Sequence, residues 1–149
     1  MIREAILHDK EQLAVLAIKF IKESKFDKFV PIDADSLLTW INNLIVDPSS
    51  VCLVYEDDGE IKGSIAGTIF PSYYNLNYTI SQELAWWVVP EYRGKIGKLL
   101  LTAFEIWSTA KGAAIISMGS LEELNPKIVD RLYKSLGYTP TEHSYLKRL

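Results

Sequence analysis

Val88-Val89-Pro90-Glu91-Tyr92-Arg93-Gly94-Lys95-Ile96-Gly97-Lys98 is the stretch on which the fold turns. Before it, Ser81 to Val89 reads as a strand that ends at Pro90. After it, from Gly97, residues Leu100, Ala103, Phe104 and Trp107 recur at helical spacing, and Gly112 closes that helix. The stretch is therefore a strand-to-helix turn. A helix start exposes N–H groups without internal acceptors and carries a partial positive charge, which favours a bound phosphate. Gly94 and Gly97 let the backbone approach a pyrophosphate closely, because no Cβ stands in the way. Arg93, Lys95 and Lys98 add positive charge to a chain whose formal net charge is -3. Together these residues predict an anion site for a phosphorylated cofactor. On the glycines alone, a plain turn with solvated lysines is an equal reading. Neither a Gly-Lys-Ser/Thr P-loop nor the GxGxxG dinucleotide spacing occurs.

Working outward toward the N-terminus, the pattern switches from strand to helix. Val51 to Tyr55 and Ile61 to Phe70 are strands joined by a hairpin turn at Asp57-Asp58-Gly59-Glu60, with Gly63 and Gly67 as bulges or points of close approach. Two amphipathic helices precede them. One carries Leu13, Leu16, Ala17, Phe20 and Ile21, with Asp9 as N-cap and Gln12 completing a capping box. The other carries Leu37, Trp40, Ile41 and Leu44, capped by Asp33 or Asp35 and stopped at Asp47-Pro48. Met1 to Ile6 is a first strand. Beyond the central turn, Ala113 to Met118 is a buried-type strand, and Pro126 opens a last helix with Val129, Leu132, Tyr133 and Leu136 on one face. Gly137 ends that helix, and His143 to Leu149 is read as a final edge strand. The order β-α-α-β-β-β-α-β-α-β describes one mixed α/β domain over residues 1–149.

Composition narrows the functional classes. An apolar fraction of 48% with 23% charged residues is ordinary for a globular chain. The acidic balance argues against a general nucleic-acid or anionic-membrane binder. Cys52 is the only cysteine, so no internal disulfide forms, which fits a cytoplasmic location. Arg3, Glu4, His8, Asp9 and Lys10 interrupt any signal-like run at the start, and no apolar stretch approaches the roughly 20 residues of a membrane helix. His8 and His143 stand apart without metal-ligand spacing, and no metal site is expected.

The strand–Pro–x–x–Arg–Gly–Lys–x–Gly–x–Leu–Leu pattern resembles the coenzyme A pyrophosphate loop of the GNAT superfamily of N-acetyltransferases. Leu132-Tyr133-Lys134-Ser135-Leu136-Gly137-Tyr138 is similar to that family's helix-four signature. The element order matches over nearly the whole chain, and a Trp-Trp pair before the loop gives a further likeness to small phage-encoded members. One departure stands out. The family loop reads Arg/Gln-x-x-Gly-x-Gly/Ala, and here Ile96 occupies the place of the middle glycine, or else the loop is one residue short. The resemblance implies a single-domain α/β fold with a mixed central sheet of about six to seven strands and about four helices. It also implies acetyl-CoA as co-substrate and an amine acceptor.

From the resemblance, Val88, Val89, Arg93, Gly94, Lys95, Ile96, Gly97 and Lys98 would hold the cofactor, Val88 and Val89 through backbone groups facing the pantetheine arm. Asn125 resembles a cofactor-contacting Asn, and a helix cap is the other reading. An amine with a reference pKa of about 10.4 arrives protonated, so direct attack on a thioester needs a base. Glu83 is the candidate base, near the middle of the strand that feeds the loop and sharing a period-two face with Ala85, Trp87 and Val89; a solvent-facing strand Glu is the alternative. Tyr133 matches the helix-four tyrosine whose hydroxyl protonates the departing thiolate, with core packing as its alternative. Of Trp86 and Trp87, which point to opposite faces, one is core; Trp87 is the candidate wall of the acceptor cleft. Phe70 and Tyr74 join it as candidate acceptor contacts, in a loop that also suits plain packing or, like an edge strand, a homodimer contact. Cys52 reads as a small buried hydrophobe. The competing function, motivated by the altered loop, is a non-catalytic acyl-CoA-binding or protein-interaction module on the same fold.

Overall fold

The computed structural model describes all 149 residues. Five strands, β1 (Ile2–Glu4), β2 (Ser50–Asp57), β3 (Glu60–Pro71), β4 (Thr79–Val88) and β5 (Ile115–Ser117), form one sheet in the order β1-β2-β3-β4-β5. The helices are α1 (Lys10–Ser24), α2 (Ala34–Val46), α3 (Lys95–Ala110) and α4 (Pro126–Ser135). The first three strand pairs are antiparallel and β4·β5 is parallel, as a strand–helix–strand crossover through α3 requires. The mixed α/β class and the four helices are as expected, but the sheet has five strands, not six to seven. Residues 139–149 carry no regular structure and are all exposed, Tyr145 by 90%. Burial, which would drive strand pairing there, is missing.

The chain divides into two compact units, Met1–Ala17 with Asp33–Gly119, and Ile18–Ile32 with Ser120–Leu149. The first contains the sheet. Val51 to Val54 are buried without alternation, the mark of a strand covered on both faces. On one face Leu53, Ile65 and Val88 pack with Ile96, Leu100 and Phe104 of α3, and α2 lies against β2 and β3. Two buried hydroxyls, Ser81 and Ser108, satisfy one another at 2.7 Å, tying β4 to α3. Asp58 and Gly59 both take positive φ, 51° and 76°, and turn β2 into β3 in two residues. Asp33 caps α2 by accepting the Ser36 N–H.

Asp9 and Gln12 depart from the expected capping box. A 3₁₀ turn at Leu7–Asp9 precedes α1, so Asp9 already lies inside the helical run and its carboxylate reaches back to the Ile6 N–H at 2.8 Å. Gln12 instead bridges to the hairpin, accepting from Ile61 N at 2.9 Å and donating to Gly59 O at 3.3 Å.

The second unit contains α4. Lys25 and Glu123 form an ion pair there at 2.8 Å. Gly137 at φ 87° closes α4, as its sequence position predicts. No helix in the chain is long and apolar enough to cross a membrane.

Candidate active site

The site grows from an interruption in β4. Its register against β3 runs Ala66↔Ala85 and then Gly67↔Glu83, which leaves Leu84 unpaired in a bulge. Strict alternation breaks at that point, so Glu83 does not share a face with Ala85 and Trp87 as a regular strand would have it. Opposite the bulge, on β3, a Cβ at Gly67 would stand 2.4 Å from the Phe104 ring and 2.8 Å from the Gln82 carbonyl, so only glycine lets the chains approach here. On its other side β4 pairs with β5 through Ile80, Ser81 and Gln82 alone. The Gln82 side chain closes that ladder, donating to Glu83 O at 2.9 Å and to Ser117 O at 3.5 Å. From Leu84 onward β4 keeps β3 on one side and has no strand on the other.

Glu83 sits where the two strands part. It is half-buried, and its Oε2 accepts the Gly119 N–H at 2.9 Å. Burial pushes its carboxyl up to about 7, against the opposing pull of the Gly119 hydrogen bond. A carboxyl poised near neutrality, with one oxygen fixed and one side open to water, has the properties of a proton acceptor.

Along β4 the chain then reaches the turn. Pro90–Tyr92 forms one 3₁₀ turn, and Gly94, at φ 81° and ψ -96°, is the N-cap of α3. Nothing lies within 4 Å of a Cβ built at Gly94, so backbone conformation rather than space calls for glycine. The first intrahelical bond is Lys98 N to Gly94 O at 3.0 Å, leaving the N–H groups of Lys95, Ile96 and Gly97 without helical acceptors. Ile96, at the place of the missing glycine, turns its side chain into the core while its N–H stays at the helix start. Gly97 lies over the Trp86 ring.

Arg93 folds back onto β4: its Nε donates to Val88 O at 2.9 Å, and its guanidinium lies 5.5 Å from the Trp87 ring centroid. The Val89 N–H donates to Lys62 O at 2.9 Å. Both backbone groups expected to face pantetheine thus have protein partners. Lys95 and Lys98 are exposed. Sequence reasoning passed over Tyr92, whose hydroxyl donates to Asp57 Oδ2 at 2.6 Å and ties the turn to the β2–β3 hairpin. Only the three-dimensional pairing of hairpin and turn brings these two together, so no local pattern signals it.

Residues 16–138 match the model of the Acetyltransferase (GNAT) family. The chain belongs to that family. No curated protein matches at a significant level. Among solved structures, a predicted acetyltransferase with acetyl-CoA from Clostridium acetobutylicum superposes with a TM-score of 0.80 at 18% identity, covering 99% of this chain and 95% of that one. Ribosomal-protein-alanine N-acetyltransferase from Brucella melitensis biovar Abortus 2308 gives 0.73 at 18% identity, over 100% and 99%. An aminoglycoside N-acetyltransferase in complex with CoA gives 0.76 at 19% identity, over 100% and 93%. At such identities these likenesses show the GNAT fold.

Of the remaining candidate residues of this acetyltransferase, Trp87, Phe70 and Tyr74 belong to the first unit and Tyr133 and Asn125 to the second. Trp87 is only 7% exposed, beneath Arg93. Phe70 stacks on Tyr73 at 5.9 Å, and Tyr74 is fully exposed at the hairpin tip. Four residue steps along the strand, roughly 13 Å, lead from Thr79 at the base of that hairpin to Glu83. In the second unit Tyr133 is buried, its ring 5.4 Å from that of Tyr138. Asn125 occupies the N-cap position of α4 at φ 51°, but its side chain makes no capping bond; its carbonyl accepts from Ile128 and Val129 instead. Cys52 is buried, and burial pushes its thiol up to about 12, which keeps it an inert hydrophobe at neutral pH.

Proposed function

We propose that this chain is an acetyl-CoA-dependent N-acetyltransferase that moves an acetyl group to a primary amine by direct attack, with Glu83 as the base. Bound acetyl-CoA supplies the acetyl group already activated as a thioester. The residues of the turn suit its pyrophosphate: three N–H groups at the start of α3 lack helical acceptors, and Lys95 and Lys98 flank them. The second half of β4, without a strand neighbour on one side, suits an extended arm laid along it.

The observation that carries the reading is Glu83 itself, half-buried at the strand parting with its carboxyl at about 7. Its carboxylate takes the proton of the incoming ammonium, and the neutral amine then attacks the acetyl carbon as the carbon–sulfur bond breaks. The second proton that the nitrogen sheds passes to solvent, from which the donor to the thiolate is reprotonated. Tyr133 is assigned the proton donor to the leaving thiolate on its match to the helix-four signature. Asn125 is proposed as a cofactor contact on the same ground, and Trp87, Phe70 and Tyr74 as acceptor contacts. A primary amine is common to the acceptors named for the aminoglycoside and ribosomal-protein enzymes of this fold. The lone Cys52 fits a cytoplasmic location, and a homodimer completes the reading; light scattering of the purified protein tests the latter.

Thiol release from acetyl-CoA, followed across polyamines, aminoglycosides and N-terminal or lysyl peptides, tests the activity. Glu83→Gln should lower kcat by about 10²–10⁴-fold with little change in KM for acetyl-CoA. Binding of acetyl-CoA without acetylation of any amine would establish the non-catalytic alternative, which the inward turn of Ile96 motivates.

A further inference from the structure

Gln82 pairs with Ser117 in the last rung of the parallel ladder, and the next residues do not pair. The N–H of Gly119, just past the end of that ladder, is taken up by a side chain, Glu83 Oε2 at 2.9 Å. A Cβ built at Gly119 would stand 3.2 Å from the same Oε2 and within 4 Å of no other atom beyond its chain neighbours. That separation is tighter than ordinary contact, so any side chain at 119 would crowd this oxygen. Gly119 does not adopt positive φ, so conformation is not what calls for glycine there.

We propose that Gly119 is a positioning residue for Glu83: its N–H fixes one carboxylate oxygen, and its missing side chain leaves room for that oxygen to sit there. The inference rests on Glu83 as the base. With Oε2 held, Oε1 is the oxygen left to accept the proton of the amine. The Gln82 side chain, bonded to the carbonyls of both Glu83 and Ser117, sets the point from which the two strands diverge and so the reach from 83 to 119.

The test is Gly119→Ala, read by carbon-13 NMR titration of the labelled Glu83 carboxyl and by the pH dependence of kcat. Gly119 is exposed and its Cβ would meet only the carboxylate, so the variant retains the fold. A hydrogen bond to the charged form lowers a carboxyl pKa, and its loss should raise the Glu83 titration by about half a unit or more. The acid limb of kcat should move up with it, while KM for acetyl-CoA stays within about twofold. An unchanged or lowered titration overturns the inference. Glu83→Gln assayed alongside separates the two readings: full turnover in that variant sinks the base assignment, while the NMR titration still decides whether Gly119 holds the carboxylate.

Discussion

Desolvation and hydrogen bonding pull the Glu83 carboxyl in opposite directions, and desolvation wins, leaving it at about 7. A base is most effective when its pKa lies close to the working pH, because it is then largely deprotonated yet still basic enough to accept a proton. An ordinary glutamate near 4.3 would be fully ionised but a far weaker base toward an ammonium. Only the carboxylate form acts, so kcat at saturating amine should fall about tenfold per pH unit below 7 and level off above it. Rate measurements from pH 5 to 9 check this. A limb centred near 4 to 5 would mean that Glu83 titrates as an unperturbed carboxyl, and a limb that survives in Glu83→Gln would mean that another group carries the proton. In Glu83→Gln the limb should vanish together with the rate.

At the scale of elements, the bulge in β4 and the closest approach of α3 to the sheet meet at Gly67. Gly67 on β3 lies under the Phe104 ring, and a methyl group there would fall 2.4 Å from it. Gly67→Ala should therefore destabilise the fold by about 1–3 kcal/mol through overpacking. Urea denaturation measures this, and Phe104→Leu in the same chain should recover part of the loss. A neutral Gly67→Ala would show that α3 is free to shift away. Much of this architecture is legible in the sequence, because turns and caps are written locally. Asp58-Gly59, Asp33, Gly112 and Gly137 each sit where the chain turns or a helix begins or ends. The bulge is not legible. Gln82-Glu83-Leu84-Ala85-Trp86-Trp87 reads as an unbroken strand, and the extra residue shows only in the register against β3. Glu83 could be singled out from its place on that strand, but Gly119, 36 residues away, has no local signal linking it to the carboxylate. His143 to Leu149 is read as an edge strand, yet its apolar residues Tyr145, Leu146 and Leu149 are all exposed, and a strand needs a face to bury.

For the whole molecule, two carboxyl groups make stability depend on pH in opposite senses. Arg3 grips Asp9 with two hydrogen bonds, at 2.7 and 3.0 Å, and also bonds Glu56, fastening β1 to the start of α1 and to β2. The Arg3 guanidinium, more than the Ile6 N–H, holds the buried Asp9 carboxyl below the usual range. Its contribution is present above the unfolded value of about 3.9 and is lost as the pH falls through the lower folded value. Glu83 behaves the other way. With a folded value near 7 and an unfolded value near 4.5, the native state holds the extra proton between them, so stability declines as the pH rises through that window. The full shift would correspond to about 3 kcal/mol, and the side chain's open face reduces this to about 2 kcal/mol. On these two groups the stability crest lies between about pH 4 and 5 and falls away toward 7. Denaturant unfolding of the wild type and Glu83→Gln at stepped pH measures the balance. The two should be equally stable near pH 4, and the variant should be more stable by about 2 kcal/mol at pH 8. Curves that stay parallel from pH 4 to 8 would show that Glu83 titrates alike in the folded and unfolded chain. The proton-accepting group would then have to be sought elsewhere along the parting of β4 and β5.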